Sequence, residues 1–394
     1  MNGNARRCAV VVSAAALLGT AAGCGTTDGQ RGSSEPERQG GHRAEQVRAA
    51  EAKRGFSLVA TGDLLVHDSI IRQAKSDAGG SGYDFRTMLG PAKPMADKAD
   101  LAICHMETVY GADGGPFTGY PAFKTPPQIA QAVKDTGYDS CSTASNHTLD
   151  AGAEGVGRTL KAMDKAGLQH AGSARSKEEA TKPAMMRAGD AKVAQLAYTY
   201  GTNGIPVPED KPWLVNRIDP DRIIADARAA RRAGADVVTV SMHWGTEWQQ
   251  DPDRQQRELS EKLTASKSDG RRDIDLIIGT HAHVPQAYEK VNGTWVVYGM
   301  GDQIAGKMND PRGTMGSAAR FRFEPPAKSG GAWRVKQAAF TPYLMETSPR
   351  HSLVNLASKK SRESGSAEQE KAYKTIREAV LSRGAEKDGL RMVE

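Results

Sequence analysis

The stretch ADVVTVSMHWGTE, residues 235–247, is an apolar run of strand length that turns polar at its end, where His243 and Glu247 flank Gly245. IDLIIGTHAH (274–283) repeats the pattern and ends at His281 and His283. Upstream, FSLVATGD (56–63) ends in Gly62-Asp63, LAICHMET (101–108) reaches Glu107, and YDSCSTASNH (138–147) reaches Asn146 and His147. Between these runs lie segments with helical periodicity: PPQIAQAVKDTG (126–137), GAEGVGRTLKAMDKAG (152–167), DPDRIIADARAARRAG (219–234) and PDRQQRELSEKLTAS (252–266). Short apolar runs alternating with helical segments predict an α/β domain with a largely parallel sheet. Further on the pattern becomes antiparallel. Asn292-Gly293 between two β-rich runs reads as a hairpin turn, and ARFRFE (319–324) and AWRVKQAAF (332–340) continue in that style. The expectation is one large domain over residues 55–350, followed by a charged, helical tail at 351–394.

Open α/β sheets bind ligands beyond the carboxyl ends of their strands. Asp63, Glu107, Asn146, His243, His281 and His283 all stand at such ends, and all are oxygen or imidazole donors. That set suits Mn, Zn, Fe or Mg and excludes Cu(I) and iron–sulfur centres, which take thiolates. Six donors exceed what one tetrahedral ion needs, so one or two divalent ions are expected; two ions sharing a carboxylate would lie about 3.5–4 Å apart. The alternation in His281-Ala282-His283 lets each imidazole serve a different ion. His42, His170 and His351 lack this context and read as packing or solvated residues, and Trp213, Trp244 and Trp248 read as packing.

The N-terminus sets the compartment. Residues 1–23 carry Arg6 and Arg7, then the apolar CAVVVSAAALLGTAAG (8–23), which has the layout of a secretory leader. A membrane-spanning helix needs about 20 predominantly apolar residues, and this run is interrupted too early. AAG-Cys24 resembles a bacterial lipobox, which makes Cys24 the expected lipidation residue and the mature N-terminus. The protein is therefore expected outside the cytoplasm, lipid-anchored to the cell membrane or secreted. Residues 24–54 are polar and Gly/Ser-rich, and read as a disordered tether. The formal charge is +6, and about +4 without Arg6 and Arg7. The basic residues are interleaved with 47 acidic ones, so no nucleic-acid partner is expected. Cys104 and Cys141 lie within apolar runs and read as buried small hydrophobes, although two cysteines outside the cell can also pair.

The motifs GDLL (62–65), HMET (105–108), ASNHTLDAG (144–152), HWGTE (243–247), GTHAHV (279–284) and YGMGD (298–302) together resemble the capsule-synthesis CapA proteins, over roughly residues 56–345. That family is associated with poly-γ-glutamate. The resemblance implies a calcineurin-like metallophosphatase fold, an α-β-β-α sandwich. It also implies roles: Asp63 and His283 at a first ion, Glu107 bridging, and Asn146, His243 and His281 at a second. His147 then resembles the outer histidine that protonates a leaving group, with Asp150 orienting it. This chain departs from the pattern at Leu65, where a histidine is usual; His67 is the candidate substitute. His105 and Asp302 stand where asparagines are common, and the bridging residue is Glu rather than Asp. A weaker first-ion site is expected.

The resemblance implies a metal-dependent hydrolase or transferase acting on poly-γ-glutamate or a related anionic polymer or peptide. Two other readings compete with it. One is a non-catalytic polymer-binding accessory protein of a membrane capsule synthase complex; the other is a peptide epimerase or phosphodiesterase on the same fold. The insertion GADGGPFTGYPAFKTPP (111–127), close behind Glu107, is the candidate wall for substrate selection.

Overall fold

A computed structural model describes residues 54–328 and 331–393; the expected leader, Cys24 and the tether lie outside the described residues. In chain order the first strands are β1 (Phe56–Leu64), β2 (Leu101–Met106), β3 (Ser140–Ser142), β4 (Gln169–Ala171), β5 (Ala184–Ala188) and β6 (Ala191–Thr199). β7 (Val237–His243) follows, then a small hairpin of β8 (Lys267–Ser268) and β9 (Arg271–Arg272). Next come β10 (Leu276–Thr280), β11 (Tyr288–Val291), β12 (Thr294–Val297) and β13 (Asp302–Ile304). The last are β14 (Met315–Glu324), β15 (Arg334–Glu346), β16 (Ser352–Asn355) and β17 (Leu390–Met392).

These strands build two main sheets. One has the order β16-β15-β14-β1-β2-β3-β4, with β13 also on β1 and β17 also on β15; the other is β11-β12-β10-β7-β6-β5. Each has a parallel centre, β1 to β4 and β6-β7-β10-β12, and antiparallel margins. The hairpin at Asn292-Gly293 forms as its sequence demands, with both residues at positive φ and Val291 opposite Thr294.

The alternation of side chains along each strand sorts them into layers. In β1, Phe56, Leu58 and Ala60 enter the core between the sheets, whereas Val59 faces outward under helices. In β7, Val237 points to the inter-sheet core while Val238, Val240 and Met242 face the other way. Helices α1 (Asp68–Asp77), α2 (Ile129–Thr136) and α3 (Gly152–Ala166) cover the first sheet through Ile70, Val133 and Met163. α4 (Pro220–Arg232) and α5 (Arg254–Ala265) cover the second through Ile223, Ala227 and Leu263. Each fully buried Leu, Ile or Val contributes about 1.5–3 kcal/mol. The result is the expected α-β-β-α sandwich.

Two expectations need correction. Cys104 and Cys141 are joined as a disulfide: parallel pairing of β2 and β3 sets them directly opposite each other, with Cα atoms 4.5 Å apart. Residues 351–394 are not a peripheral tail beyond a boundary at 350. β16 and β17 both pair with β15, and α6 (Ala367–Leu381) adds Ala372, Ile376 and Val380 to the inter-sheet core. Their spacing of four is a helical apolar stripe, half hidden in the sequence by the charged residues around it.

Candidate metal centre

The carboxyl ends of the parallel strands from both sheets converge. β1 delivers Asp63 and β2 leads into Glu107. Asn146 follows β3, His243 ends β7, and His281 and His283 follow β10. The backbones must approach closely here. A Cβ on Gly62 would sit 1.8 Å from the Gly301 carbonyl oxygen, and one on Gly279 would sit 1.9 Å from that of Tyr298. His281 and His283 adopt left-handed backbone at φ 93° and 54°, a conformation that non-glycine residues keep only where surrounding structure enforces it.

His243 Nε2 lies 2.9 Å from Asn146 Oδ1 and 3.9 Å from Glu107 Oε1. His283 Nε2 lies 3.8 Å from the same Glu107 oxygen, and its Nδ1 lies 3.8 Å from Asp63 Oδ2 and 3.0 Å from Asp302 Oδ1. The His281 backbone N–H donates to Asp63 Oδ2 at 3.1 Å. Among the described residues, three sets have donor atoms within 4.8 Å of one another: Asp63, Glu107, His283 and Asp302; Asp63, His105 and His243; Glu247, His281 and His283. Asp63 Oδ1, both Glu107 oxygens, Asp302 Oδ2, His105 Nε2 and His281 Nδ1 are buried without a hydrogen-bond partner. Leaving such groups unsatisfied is costly, so this many in one place indicates a ligand.

The electrostatics point the same way. Burial and neighbouring Asp302 push Asp63 up to about 8. Burial also drives Glu107 well above the carboxylate range and raises Asp302. Burial lowers His105 and His281 to about 3 each, and takes His243 well below its ordinary value. His283 is also buried, yet the carboxylates of Asp302, Glu107 and Asp63 carry it well above the ordinary imidazole value. Three carboxylates beside His105, His243 and His281, whose imidazoles burial keeps neutral, are the donor chemistry of a divalent cation, which lets all three carboxylates ionise at once.

Beside this cluster, His147 Nδ1 lies 2.7 Å from Asp150 Oδ2, and the Phe123 backbone N–H donates to the same oxygen at 2.8 Å. Phe123 stands edge-on to the His147 ring at 4.7 Å. The insertion at 111–127 is thereby tied to the histidine and to the start of α1, where Gly119 N–H donates to Asp68 at 2.7 Å. Asn203, from the segment after β6, accepts from Asn146 Nδ2 at 3.2 Å and brings its own Nδ2 to 3.5 Å from both His147 ring nitrogens. Among the described residues, two large apolar side chains stay exposed: Tyr120 at 72% and Tyr200 at 39%. Tyr120 belongs to the insertion, 6.4 Å from Phe123, and Tyr200 lies 4.4 Å from His281 by ring centroids.

The model of the family described as Bacterial capsule synthesis protein PGA_cap matches residues 57–307, more than half of the chain. The chain belongs to the PGA_cap family. Among relatives, "PGA biosynthesis protein CapA" of Bacillus subtilis is 28% identical over 46% of this chain and 46% of its own length. "Probable polyglutamine synthesis accessory protein Rv0574c" of Mycobacterium tuberculosis is 27% identical over 56% of this chain and 60% of its own length. The chain thus spans about half the length of the curated relatives it matches. Among solved structures, the calcineurin-like phosphoesterase YfkN from Bacillus subtilis aligns with 16% identity and a TM-score of 0.42, covering 83% of this chain and 97% of that one.

Within this PGA_cap domain, all six residues singled out as metal ligands converge. His67 does not join them: it belongs to none of the three ligand-spaced sets, and its Nδ1 accepts the Gly306 backbone N–H at 3.1 Å. Burial and the nearby His283 lower it to about 4. Trp248 packs beside the cluster, its ring 5.5 Å from that of His283. His105, Asp302 and Glu247 join the cluster without having been counted as ligands. The signal for two of them was present, since both His105 and Asp302 are donor residues standing where the family resemblance leads one to expect Asn. Asn203 and Tyr200 follow β6, which ends without a comparable polar motif, and nothing in the sequence marks them.

Proposed function

We propose that this chain is a metal-dependent hydrolase or transferase that acts on poly-γ-glutamate or a related anionic capsule polymer outside the cytoplasm, held to the membrane by a lipid on Cys24. The observation that carries the reading is the gathering of buried, partnerless donor atoms beside a carboxylate-held histidine. Asp63, Glu107, Asn146, His243, His281 and His283 would hold one or two Mn, Zn, Fe or Mg ions. A divalent cation so held supplies Lewis-acid polarisation of a carbonyl or phosphoryl oxygen and lowers the pKa of water.

The remaining tasks fall to the chain. In hydrolysis of a γ-amide, the hydroxyl of water goes to the carbonyl carbon and a proton goes to the departing nitrogen. His147 would deliver that proton, with Asp150 holding its Nδ1 and leaving Nε2 for the substrate. The insertion bearing Tyr120 and the segment bearing Tyr200 would hold the polymer beside the cluster. The capsule-synthesis description of the family, with the PGA and polyglutamine wording in the names of the relatives, supports the substrate class.

A second reading is a non-catalytic accessory protein that presents polymer to a membrane synthase complex, and the word "accessory" in the name of the mycobacterial relative favours it. The two separate on one experiment. Purified protein of known metal content is incubated with poly-γ-glutamate, a γ-linked peptide and a phosphodiester, alongside His147→Ala. Metal-dependent turnover of polymer or peptide that is lost in the variant, with folding and metal content intact, supports the enzyme. Polymer binding without turnover of any substrate supports the accessory protein.

A further inference from the structure

We propose that His105 is a further cation-holding residue of this centre, positioned by Ser142. The inference rests on the reading that the cluster binds a divalent cation. It starts from strand register. Parallel pairing sets His105 of β2 opposite Asp63 of β1 on one side and opposite Ser142 of β3 on the other. Three adjacent strands thus place the carboxylate, the imidazole and the hydroxyl in one row.

The hydrogen bonding then fixes which nitrogen faces the cluster. His105 Nδ1 lies 2.7 Å from Ser142 Oγ, and that hydroxyl lies 3.4 Å from the Cys104 carbonyl oxygen. The hydroxyl proton satisfies the carbonyl, so Ser142 accepts from His105 Nδ1–H. The Nε2 lone pair is left free. Nε2 is buried without a hydrogen-bond partner, on a residue only 2% exposed, and lies 3.7 Å from Asp63 Oδ1, which is itself partnerless. A second polar group bonded to the far nitrogen is the usual device by which proteins aim an imidazole at a metal. The ring stacks on His243 at 4.7 Å, and Asp63, His105 and His243 form one of the three ligand-spaced sets.

The other side chains that follow Asp63 are engaged elsewhere. Leu65 packs with Phe123 and Ala305, and His67 spends Nδ1 on Gly306. A histidine kept only for packing in this apolar strand would have no reason to leave Nε2 bare beside a bare carboxylate oxygen.

Cobalt(II) is the probe, since its visible spectrum reports the nitrogen donors around it. Full-length protein is stripped with chelator and titrated with Co²⁺, alongside His105→Asn, His105→Gln, Ser142→Ala and His67→Asn, each checked for fold by circular dichroism. The expected result is a visible band whose position changes in the folded His105 variants, with affinity weaker by about tenfold or more. Ser142→Ala weakens affinity by a smaller factor and leaves the band in place, and His67→Asn titrates like the parent. Folded His105→Asn or His105→Gln with the parent's band and affinity overturns the proposal, as does a loss confined to His67→Asn. If both His105 variants fail to fold, Ser142→Ala decides alone, and unchanged affinity in it overturns the proposal. A parent protein that binds no Co²⁺ overturns the metal reading itself.

Discussion

Asp63→Asn should make the metal-free protein more stable while weakening its hold on a cation. In the folded chain Asp63 is fully buried, and its carboxyl is raised from the ordinary 3.8 to about 8, chiefly by burial and then by Asp302. Above pH 3.8 the unfolded chain gives up this proton while the folded chain keeps it, so the contribution of Asp63 to stability falls as the pH rises from about 4 to about 8. At pH 7 the penalty is roughly 4 kcal/mol, because every pH step above the unfolded value costs about 1.4 kcal/mol while the folded carboxyl stays protonated. Asparagine keeps an oxygen for the His281 N–H and offers an amide N–H towards His105 Nε2, so it avoids that penalty. For the Lys53–Glu394 unit, with about 2.1 cal/mol/K of unfolding entropy per residue, the gain is a rise in Tm of roughly 6 °C at pH 7. Calorimetry in chelator at pH 5 and pH 7.5 reads it, and the gap should shrink by roughly 3 kcal/mol at the lower pH. Adding Mn²⁺ or Zn²⁺ at a hundredfold excess over its dissociation constant for the parent should stabilise the parent by about 2.7 kcal/mol and the variant by less. A variant that melts below the parent in chelator at pH 7.5, or a gap indifferent to pH and cation, would refute the reasoning.

Tyr120→Ala and Tyr200→Ala should raise KM for polymer several-fold with metal content unchanged; equal kinetics for both variants and parent would remove these exposed rings from substrate binding. Ile376→Ala should cost about 2–5 kcal/mol by leaving a cavity in the inter-sheet core, and a loss below about 1 kcal/mol in denaturant titration would show α6 to be peripheral after all. Cys24→Ser should shift the protein from membranes to the soluble fraction or leave the leader uncleaved; unchanged fractionation and processing would replace the lipid anchor with a plain secretory leader.

Much of the sandwich was legible because its strands obey one rule: apolar runs of strand length that end in a donor residue. That rule located Asp63, Glu107, Asn146, His243, His281 and His283 without any contact information. It was blind to register, and register is what brings Cys104 opposite Cys141 and sets His105 and Asp302 on either side of Asp63. The division into two sheets was equally invisible in the residues themselves, since a parallel strand buried on both faces reads the same in either sheet. α6 was misjudged because exposed Lys and Glu residues outnumber its buried stripe. Tyr200 and Asn203 reach the centre only because β6 ends next to β7, where Thr199 lies opposite His243.

The most direct test of the central claim is the metal content of protein purified without chelator, measured by mass spectrometry beside Glu107→Gln and His283→Ala. The account predicts about one to two equivalents of a divalent transition metal or magnesium in the parent. Both folded variants should lose at least one of them. Parent protein that carries only trace metal, and takes up none after dialysis against Mn²⁺, Zn²⁺, Fe²⁺ or Mg²⁺, would contradict it.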